Sequence, residues 1–338
     1  MKTVPKISPR RFSVAPMMDW TDRHDRYFLR LISRHAYLYT EMVTADAVIH
    51  GDRDHLIGFD AREHPVALQL GGCDPQKMAE AARIATDFGY DEININVGCP
   101  SDRVQSGQFG ACLMAEPDLV AACVRQMRRA TTLPITVKCR IGINDNDHYD
   151  YLKNFVQVVA DAGCLTVIVH ARVAILAGLS PKQNRDIPPL HYGHVHQLKA
   201  DFPDLEILLN GGLGDHETAL DALAQGLDGV MVGRQAYQDT YFLSSVDALY
   251  YGDQDPVRSR RSVIQEMLPY VDAHCRQGGR LNAITRHLHG LFAGQPGAKA
   301  WRRYLSENSY QSGRGAEVLE QALTLVPEPA QAMGLTGT

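Results

Sequence analysis

Two cysteines stand near the ends of a turn-rich stretch, INVGCPSDRVQSGQFGACLM, at residues 95–114. A cysteine thiol ionises near neutral pH, so it can act as an acid or a nucleophile. Cys99 directly follows a strand-like run, whereas Cys112 lies beyond a glycine-rich segment, in a pattern typical of a helix start. Either thiol is a candidate for chemistry at this point.

Other polar and glycine residues follow seven further apolar runs. Any one of them could be an ordinary polar residue at a rim, but eight such run ends together predict a pocket. With Cys99, the residues at these ends are Pro16, Met17, Met18, Glu41, Met42, Gln69, Asn94, Asn96, Gly98, Lys138, Arg140, His170, Arg172, Asn210, Gly211, Gly212, Gly233 and Arg234.

The runs themselves predict the element that positions these residues. They are β-branched and short, and amphipathic helical patterns such as 75–89 and 117–132 separate them, which indicates parallel βα units. Eight units, without a GxGxxG fingerprint, favour an α/β fold of the (β/α)8 TIM-barrel type, whose active site lies at the carboxyl ends of the strands. The predicted strands are residues 12–17, 37–42, 65–70, 92–97, 134–140, 165–172, 206–212 and 229–234.

Glycine turns after the last two predicted strands, NGG at 210–212 and VGR at 232–234, indicate a phosphate site. Backbone N–H groups at such turns hold phosphates in these barrels, and Arg234 can add charge-assisted bonds. Lys138 and His170 lie at the middle strands. A lysine there can stabilise the anionic reduced form of a planar cofactor.

The strand pattern stops after about Tyr241, and residues 255–326 are helical in pattern, with breaks at 277–279 and 294–297. We predict a barrel domain at 1–244, an all-helical domain at 245–327 and a disordered tail at 328–338. Residues 257–303 carry nine Lys and Arg against two acidic residues, so the rest of the chain has a net charge of −12 within a total of −5. Two explanations fit this asymmetry equally well. The basic segment contacts a polyanion, or it is a solvated helical face.

Composition excludes several classes of protein. No stretch approaches the eighteen apolar residues of a membrane span, and the N-terminus lacks the apolar region of a secretory signal. The seven cysteines form no CxxC pair, which favours reduced thiols and a cytoplasmic location. The histidines of HYGHVH, at 191–196, do not share a helical face, so we expect no metal site. The sequence lacks the apolar surface stripe that would indicate an obligate protein partner, so we expect none.

At this level of detail the chain resembles the tRNA-dihydrouridine synthases, and specifically their A-type branch, over nearly its whole length. The motifs that carry the resemblance are APMMDWTDRH (15–24), TEMVTADAVIHGD (40–52), LQLGG (68–72), INVGCPSDRVQSGQFGACLM (95–114), TVKCRIGIND (136–145), VHAR (169–172), GLSPKQNRDIPPL (178–190), NGG (210–212), VGRQAY (232–237) and GLFAGQPGAKAWRRYLS (290–306).

The resemblance implies an FMN-bound barrel that reduces D-loop uridines of tRNA, at positions 20 and 20a, with NADPH as electron donor. Uracil reduction needs a hydride at C6 and a proton at C5. Cys99 matches the family's proton donor, and Asn96 matches the residue that binds a uracil flipped out of its stack. Cys112 is then interpreted as structural. The implied FMN contacts are Pro16, Met17, Met18, Gln69, Lys138, His170, Asn210, Gly211, Gly212, Gly233 and Arg234.

The resemblance also implies a tRNA-binding signature, Lys182 with Arg185 and Lys299 with Arg302, which we place away from the chemistry as phosphate contacts. The chain departs from the family at 173–175, where Val-Ala-Ile replaces Lys-Ala-Trp. It departs again at 287–292, where HLHGLF replaces HMLGLF. We expect HLH to form a solvated or RNA-facing surface.

Two other functions remain open. An FMN barrel acting on a free pyrimidine-like molecule would share the flavin chemistry but leaves the basic helical segment unexplained. A tRNA-binding protein without turnover would leave Cys99, Lys138 and His170 unexplained, and it would be purified without a flavin spectrum.

Overall fold

The computed structural model describes residues 7–101, Val104 and residues 107–327. The predicted disordered tail at 328–338 lies outside this range. Eight strands follow the predicted order. They are β1 (Phe12–Val14), β2 (Leu38–Thr44), β3 (Val66–Gly71), β4 (Glu92–Val97), β5 (Ile135–Arg140), β6 (Thr166–His170), β7 (Glu206–Asn210) and β8 (Gly229–Val232).

The strands form one parallel sheet that curls into a barrel, in the order β1-β8-β7-β6-β5-β4-β3-β2. The remaining seam, between β1 and β2, is bridged at Ser13 and Tyr37, where the Val14 amide donates to the Tyr37 carbonyl at 2.9 Å. The prediction of a (β/α)8 barrel is therefore confirmed. Its carboxyl-terminal strand ends meet on one face of the molecule, as this topology requires.

Helices cover the outside of the barrel, and short 3-10 turns occur at Ala61–Glu63, Gly110–Ala115, Thr240–Ser245 and Leu288–Gly290. The α-helices of the described residues are α1 (Arg23–Ile32), α2 (Ala45–His50), α3 (Arg53–Ile57), α4 (Pro75–Phe88), α5 (Pro117–Ala130), α6 (Tyr149–Asp161), α7 (Gln183–Asp186), α8 (Tyr192–Asp201), α9 (His216–Ala224), α10 (Arg234–Gln238), α11 (Val246–Tyr251), α12 (Arg260–Arg276), α13 (Leu281–Thr285), α14 (Ala298–Asn308) and α15 (Glu317–Thr324).

The helix α4 illustrates how the sequence sets these bounds. Asp74 caps its first turn by accepting from the Gln76 and Lys77 amides, and Pro75 occupies the first helical position, where no N–H is needed. Gly89 ends the helix in the left-handed conformation, with φ +90°. Its buried residues, including Met78 and Ile84, pack towards the sheet in the core between helices and barrel.

The C-terminal helices pack on one another and on α1, which belongs to the barrel. The Tyr27 and Tyr270 rings stack at a centroid distance of 3.9 Å, and Trp301 is fully buried with its indole N–H donating to the Leu288 carbonyl. Tyr27, Phe28 and Trp301 are therefore core residues. The domain boundary at residues 244 and 245 remains a prediction. No helix among the described residues has the length and apolarity to cross a membrane.

The expectation that HLH forms a surface is wrong for its first histidine. His287 is 1% exposed, and its ring lies between the Asp22 carboxylate, 3.1 Å from Nε2, and the Tyr237 hydroxyl, 3.1 Å from Nδ1. Arg286 also pairs with Asp22, at 2.5 Å. These polar partners on the barrel make burial of the imidazole favourable, because each ring nitrogen has a hydrogen-bond partner.

Candidate active site at the carboxyl ends of the strands

Strand register brings the predicted site residues into adjoining positions at the mouth of the barrel. Asn96 lies opposite Lys138 on β5, Arg140 lies opposite His170 on β6, and His170 lies opposite Asn210 on β7. The side chains of Arg140, His170 and Asn210 are buried, whereas Asn96 and Lys138 are half-buried. The polar strand ends therefore form one connected site, as expected of a barrel mouth.

Asn96 holds the backbone that carries Cys99. Its Oδ1 atom accepts from the Gly98 amide at 3.1 Å and from the Cys99 amide at 3.0 Å, and its Nδ2 atom donates to Gln69 at 2.8 Å. One N–H of Asn96 is left over for a ligand, because an amide nitrogen carries two hydrogens. The Cys99 thiol is half-buried and lies 3.5 Å from the Ser101 hydroxyl.

Cys112 has a different environment. Its thiol donates to the Phe109 carbonyl at 3.1 Å from within a 3-10 turn, and burial raises its pKa. A thiol that is neutral and already hydrogen-bonded is a poor nucleophile or acid. This geometry agrees with the interpretation of Cys112 as structural.

Lys138 and Arg140 are basic groups at the site that form no salt bridge with a carboxylate among the described residues. Burial, and then the neighbouring Arg140 guanidinium, lowers the pKa of the Lys138 ammonium to about 8. Burial, together with the Arg140 and Lys138 charges, lowers the pKa of His170 well below its ordinary value, so its imidazole is neutral at pH 7. Such a cluster favours anionic ligands and developing negative charge.

Arg140 connects two loops at this mouth. Its guanidinium donates to the carbonyl of Gly98 at 3.2 Å and to the carbonyls of Val173 and Asn184, at 3.3 and 3.0 Å. The buried Asn184 side chain in turn binds the backbone of Ile175. The segment that departs from the family at residues 173–175 is thereby tied to the Cys99 loop.

Lys182 and Arg185 lie at the start of and within the short helix α7, next to Asn184. Both residues are exposed, and partial burial followed by the Arg234 charge lowers the pKa of Arg185. The Lys182 ammonium forms no hydrogen bond or salt bridge with another described residue. Their placement as tRNA phosphate contacts away from the chemistry stays a prediction.

The turn after β7 requires glycine, and the neighbouring His170 has a buried ring nitrogen without a hydrogen-bond partner among the described residues. Gly211 and Gly212 have φ of +104° and +73°, and a β-carbon on Gly211 would approach the His170 ring to 3.1 Å. Within the described part of the chain, the buried Nδ1 atom of His170 and the buried Nη1 atom of Arg172 have no hydrogen-bond partner. Unpaired buried polar atoms of this kind fit a bound polar ligand, so the residues present fit a flavin phosphate and ring.

The remaining predicted cofactor contacts surround this turn. Gln69 is buried on β3 and Asn210 donates to the Met231 carbonyl at 2.7 Å. Gly233 precedes α10, and Arg234 pairs with Asp186 at 2.7 Å. After β1, Pro16 and Met17 are half-buried and Met18 is 56% exposed.

Lys299 and Arg302 lie on α14, distant in sequence from every strand, and both are exposed. Neither side chain forms a hydrogen bond or salt bridge to another residue in the described part of the chain, so both are available for a partner. The expectation of no metal site stays a prediction. Among the described residues, His35, Asp247 and Asp253 have suitable spacing for a metal ion, but Arg34 already pairs with both carboxylates.

Two buried residues that support the site from below, Glu92 and Thr136, were not predicted from the sequence. Glu92, Asn94 and Asn96 alternate along β4, and Thr136, Lys138 and Arg140 alternate along β5. This period of two places each set on one face of its strand. A polar alternation inside an otherwise apolar barrel was the available signal for Thr136 and for the structural role of Asn94.

Comparison with known proteins gives consistent matches. The family model described as dihydrouridine synthase (Dus) matches residues 13–326. A tRNA-dihydrouridine(20/20a) synthase of Shewanella oneidensis (strain MR-1) is 58% identical over 313 residues, covering 93% of this chain and 93% of that protein. The corresponding synthase of Escherichia coli (strain K12) is 56% identical over 319 residues, covering 94% of this chain and 92% of that protein.

A solved structure of a 2-naphthoyl-CoA reductase with 2-naphthoyl-CoA superposes with a TM-score of 0.55 at 10% identity. The match covers 70% of this chain and 49% of that one, so this chain spans about half the length of that reductase. This likeness concerns the fold alone.

Proposed function

The chain belongs to the dihydrouridine synthase family, and from this premise we propose that it reduces uridines 20 and 20a in the D-loop of tRNA. It is an oxidoreductase that acts on tRNA, on the strength of relatives at 54–58% identity over most of its length. The observation that carries the more detailed proposal is the Cys99 loop, which Asn96 fixes beside Lys138 at the barrel mouth.

FMN is the proposed cofactor and NADPH its reductant. When bound and reduced, FMN supplies the hydride that adds to C6 of uracil. Two polar atoms without a hydrogen-bond partner among the described residues, His170 Nδ1 and Arg172 Nη1, support this site together with the left-handed turn at Gly211 and Gly212. The proposed contacts are Pro16, Met17, Met18, Gln69, Lys138, His170, Asn210, Gly211, Gly212, Gly233 and Arg234.

Cys99 is the proposed acid that protonates C5 of the uracil. Its loop leaves the thiol half-buried, which suits a proton donor that must reach a base drawn out of its stack. Asn96 offers its spare N–H to a uracil carbonyl while its oxygen holds the Cys99 amide. Lys138 and Arg140 keep the local charge positive, which favours negative charge that develops during reduction.

The basic helical segment is proposed to orient the tRNA on the barrel. A body with a net charge of −12 repels a polyanion, so docking is favoured where Lys299 and Arg302 present free cations. Lys182 and Arg185 add two exposed cations on the barrel side. Free thiols at all seven cysteines suit the cytoplasm, where we place the protein.

The decisive experiment maps dihydrouridine at single-nucleotide resolution in tRNA from a strain that lacks the gene. Complementation with wild type is expected to restore dihydrouridine at positions 20 and 20a, whereas Cys99→Ala is expected to fail. Cys112→Ala is the matched control, because it removes the other thiol of the same stretch, and it is expected to complement.

Other outcomes would redirect the proposal. Full restoration by Cys99→Ala would remove Cys99 from the role of acid. Failure of wild type, in a protein purified with a flavin spectrum, would favour the flavoenzyme acting on a free pyrimidine-like molecule. Failure without a flavin spectrum would favour the tRNA-binding protein without turnover.

A further inference from the structure

We infer that Thr136, buried in the middle of the barrel, is a positioning residue that orients the Asn96 amide and through it the Cys99 loop. The inference rests on the proposed role of Cys99. Thr136 touches neither Asn96 nor Cys99, and it acts through a continuous chain of side-chain hydrogen bonds. That chain links the floor of the barrel to its mouth.

The links run in one direction. The Thr136 hydroxyl donates to Glu92 and accepts from Asn94 Nδ2 at 2.8 Å. Asn94 Oδ1 accepts from Gln69 Nε2 at 2.8 Å, and Gln69 Oε1 accepts from Asn96 Nδ2 at 2.8 Å. Asn96 Oδ1 then accepts from the Gly98 and Cys99 amides.

Both ends of the chain fix the same direction. At the floor, Glu92 forms a salt bridge with Arg10 and accepts a hydrogen bond from the Tyr39 hydroxyl. A paired carboxylate only accepts hydrogen bonds. At the mouth, the backbone N–H groups of Gly98 and Cys99 only donate. Every amide between these ends has one orientation that satisfies both neighbours, and the reversed orientation places two donors or two acceptors together.

The direction decides what the site presents to a base. Because the Asn96 oxygen is engaged by two backbone N–H groups, the group left for a ligand is an N–H donor. A donor matches the carbonyl oxygens of uracil and repels an exocyclic amino group. Thr136 contributes because it is the one link that both donates and accepts through a single oxygen, and it is fully buried.

The test compares three variants of the purified holoenzyme. Thr136→Val keeps the shape and removes the hydroxyl, Thr136→Ser restores the hydroxyl, and Thr166→Val is the matched control. Thr166 also donates to a floor carboxylate, Glu206 at 2.7 Å, but does not join the amide chain. The readouts are kcat and KM for tRNA, the thermal midpoint, and the alkylation rate of Cys99 measured on its peptide by mass spectrometry.

Thr136→Val is expected to lower kcat about tenfold, to change KM less than twofold and to alter the Cys99 alkylation rate at least threefold, on the scale of one lost positioning bond. Thr136→Ser is expected to recover most of both effects, and Thr166→Val to change neither. Equal kcat and alkylation rates in Thr136→Val and Thr166→Val would overturn the inference. The alkylation readout needs no tRNA, so failure of the Cys99 acid role is separable from failure of the positioning role.

A second measurement needs no substitution. Neutron diffraction from crystals of the wild-type holoenzyme locates amide deuterons directly. One Asn94 deuteron is expected to point at the Thr136 oxygen and one Asn96 deuteron at the Gln69 carbonyl oxygen. The opposite orientation at either amide would contradict the inference even where Thr136→Val does not fold.

Discussion

A β-carbon placed on Gly110 would lie 2.6 Å from the carbonyl oxygen of Cys99 and 2.4 Å from Val104 Cγ1. The Ala111 amide donates to that same Cys99 carbonyl at 2.9 Å, so the two ends of the cysteine-containing stretch are in direct backbone contact. Gly110 has a φ of +78°, which favours glycine independently of the contact. The turn at Gly110, near the C-terminal end of the cysteine-containing stretch, therefore helps to hold the Cys99 loop in place.

Gly110→Ala is expected to impair catalysis beyond its effect on folding. The left-handed backbone costs about 1–2 kcal/mol for alanine, and the collision with Cys99 must also displace the loop. Gly89→Ala is the matched control, because Gly89 has a φ of +90° and no atom within 4 Å of a β-carbon. Urea titration is expected to show a larger loss of unfolding free energy in Gly110→Ala than in Gly89→Ala, and uridine-reduction assays are expected to show kcat reduced more than tenfold only in Gly110→Ala. Equal kcat values in Gly110→Ala and Gly89→Ala would contradict a role of the Gly110–Cys99 contact in catalysis.

Asn96→Asp is expected to be more damaging than its near-identical shape suggests. The aspartate can still accept from the Gly98 and Cys99 amides, but its second oxygen faces Gln69 Oε1 and presents an acceptor to the base. A polar group left facing a second acceptor in this way costs about 1–3 kcal/mol, which corresponds to a fall in kcat/KM of about 5- to 150-fold. Steady-state kinetics with tRNA checks this, and retention of kcat/KM within twofold would refute the donor role. Asn96→Ala removes the loop contact without adding a charge, so comparing its kcat/KM with that of Asn96→Asp separates these two effects.

The reduction step is expected to slow as pH rises through the Lys138 pKa of about 8. Burial disfavours the ammonium, so its charge is lost at a lower pH than in an exposed lysine, and with it the stabilisation of negative charge. The measurement is single-turnover uridine reduction by pre-reduced enzyme from pH 6.5 to 9.5. Lys138→Arg, which keeps its charge over this range, is expected to be slower and to lack the alkaline fall. A fall of the same shape in Lys138→Arg would assign it to another group.

The same depressed pKa predicts how stability changes with pH. Between the folded pKa of about 8 and the ordinary value of 10.5, the unfolded chain binds more protons at Lys138 than the folded chain does. The contribution of Lys138 to the free energy of unfolding therefore rises with pH through this window. Subtracting the urea-unfolding profile of Lys138→Met from that of wild type isolates this contribution, which is expected to slope upward.

How far sequence can predict this site depends on what fixes each residue. Strand identity follows from local β-branched runs, and the strand-end positions of Cys99, Lys138 and His170 follow from barrel topology. Cross-strand partners, such as Asn94 opposite Thr136, depend on the register that closes the barrel and are not encoded in any one segment.

Long-range contacts explain the expectation that was wrong. His287 is buried because Asp22 and Tyr237 satisfy its ring, and the loop that carries Arg185 is likewise held by a distant pair, Arg140 and Asn184. Each partner lies at least forty residues away, as in the pair Arg140 and Asn184 with a separation of 44. Local pattern carries no information about such partners.

Charge reversal at both Lys299 and Arg302 is expected to weaken tRNA docking without affecting flavin chemistry. Both side chains are exposed and form no salt bridge with another described residue, so the substitutions remove no intramolecular pair. KM for tRNA is expected to rise about tenfold or more, and the salt dependence of log KM to become shallower by about 2, if each cation meets one phosphate. NADPH oxidation with oxygen as acceptor is expected to be unchanged.

Arg129→Glu is the matched control for this charge reversal, because Arg129 is exposed at the end of α5, where the chain returns to the amino-terminal face of the barrel. It makes one charge reversal of the same kind far from the proposed docking face, and is expected to leave KM within twofold of wild type. A similar rise in KM for Arg129→Glu would show that overall charge, and not a docking face on α14, sets tRNA affinity. An unchanged KM in the double variant would place the tRNA elsewhere on the molecule.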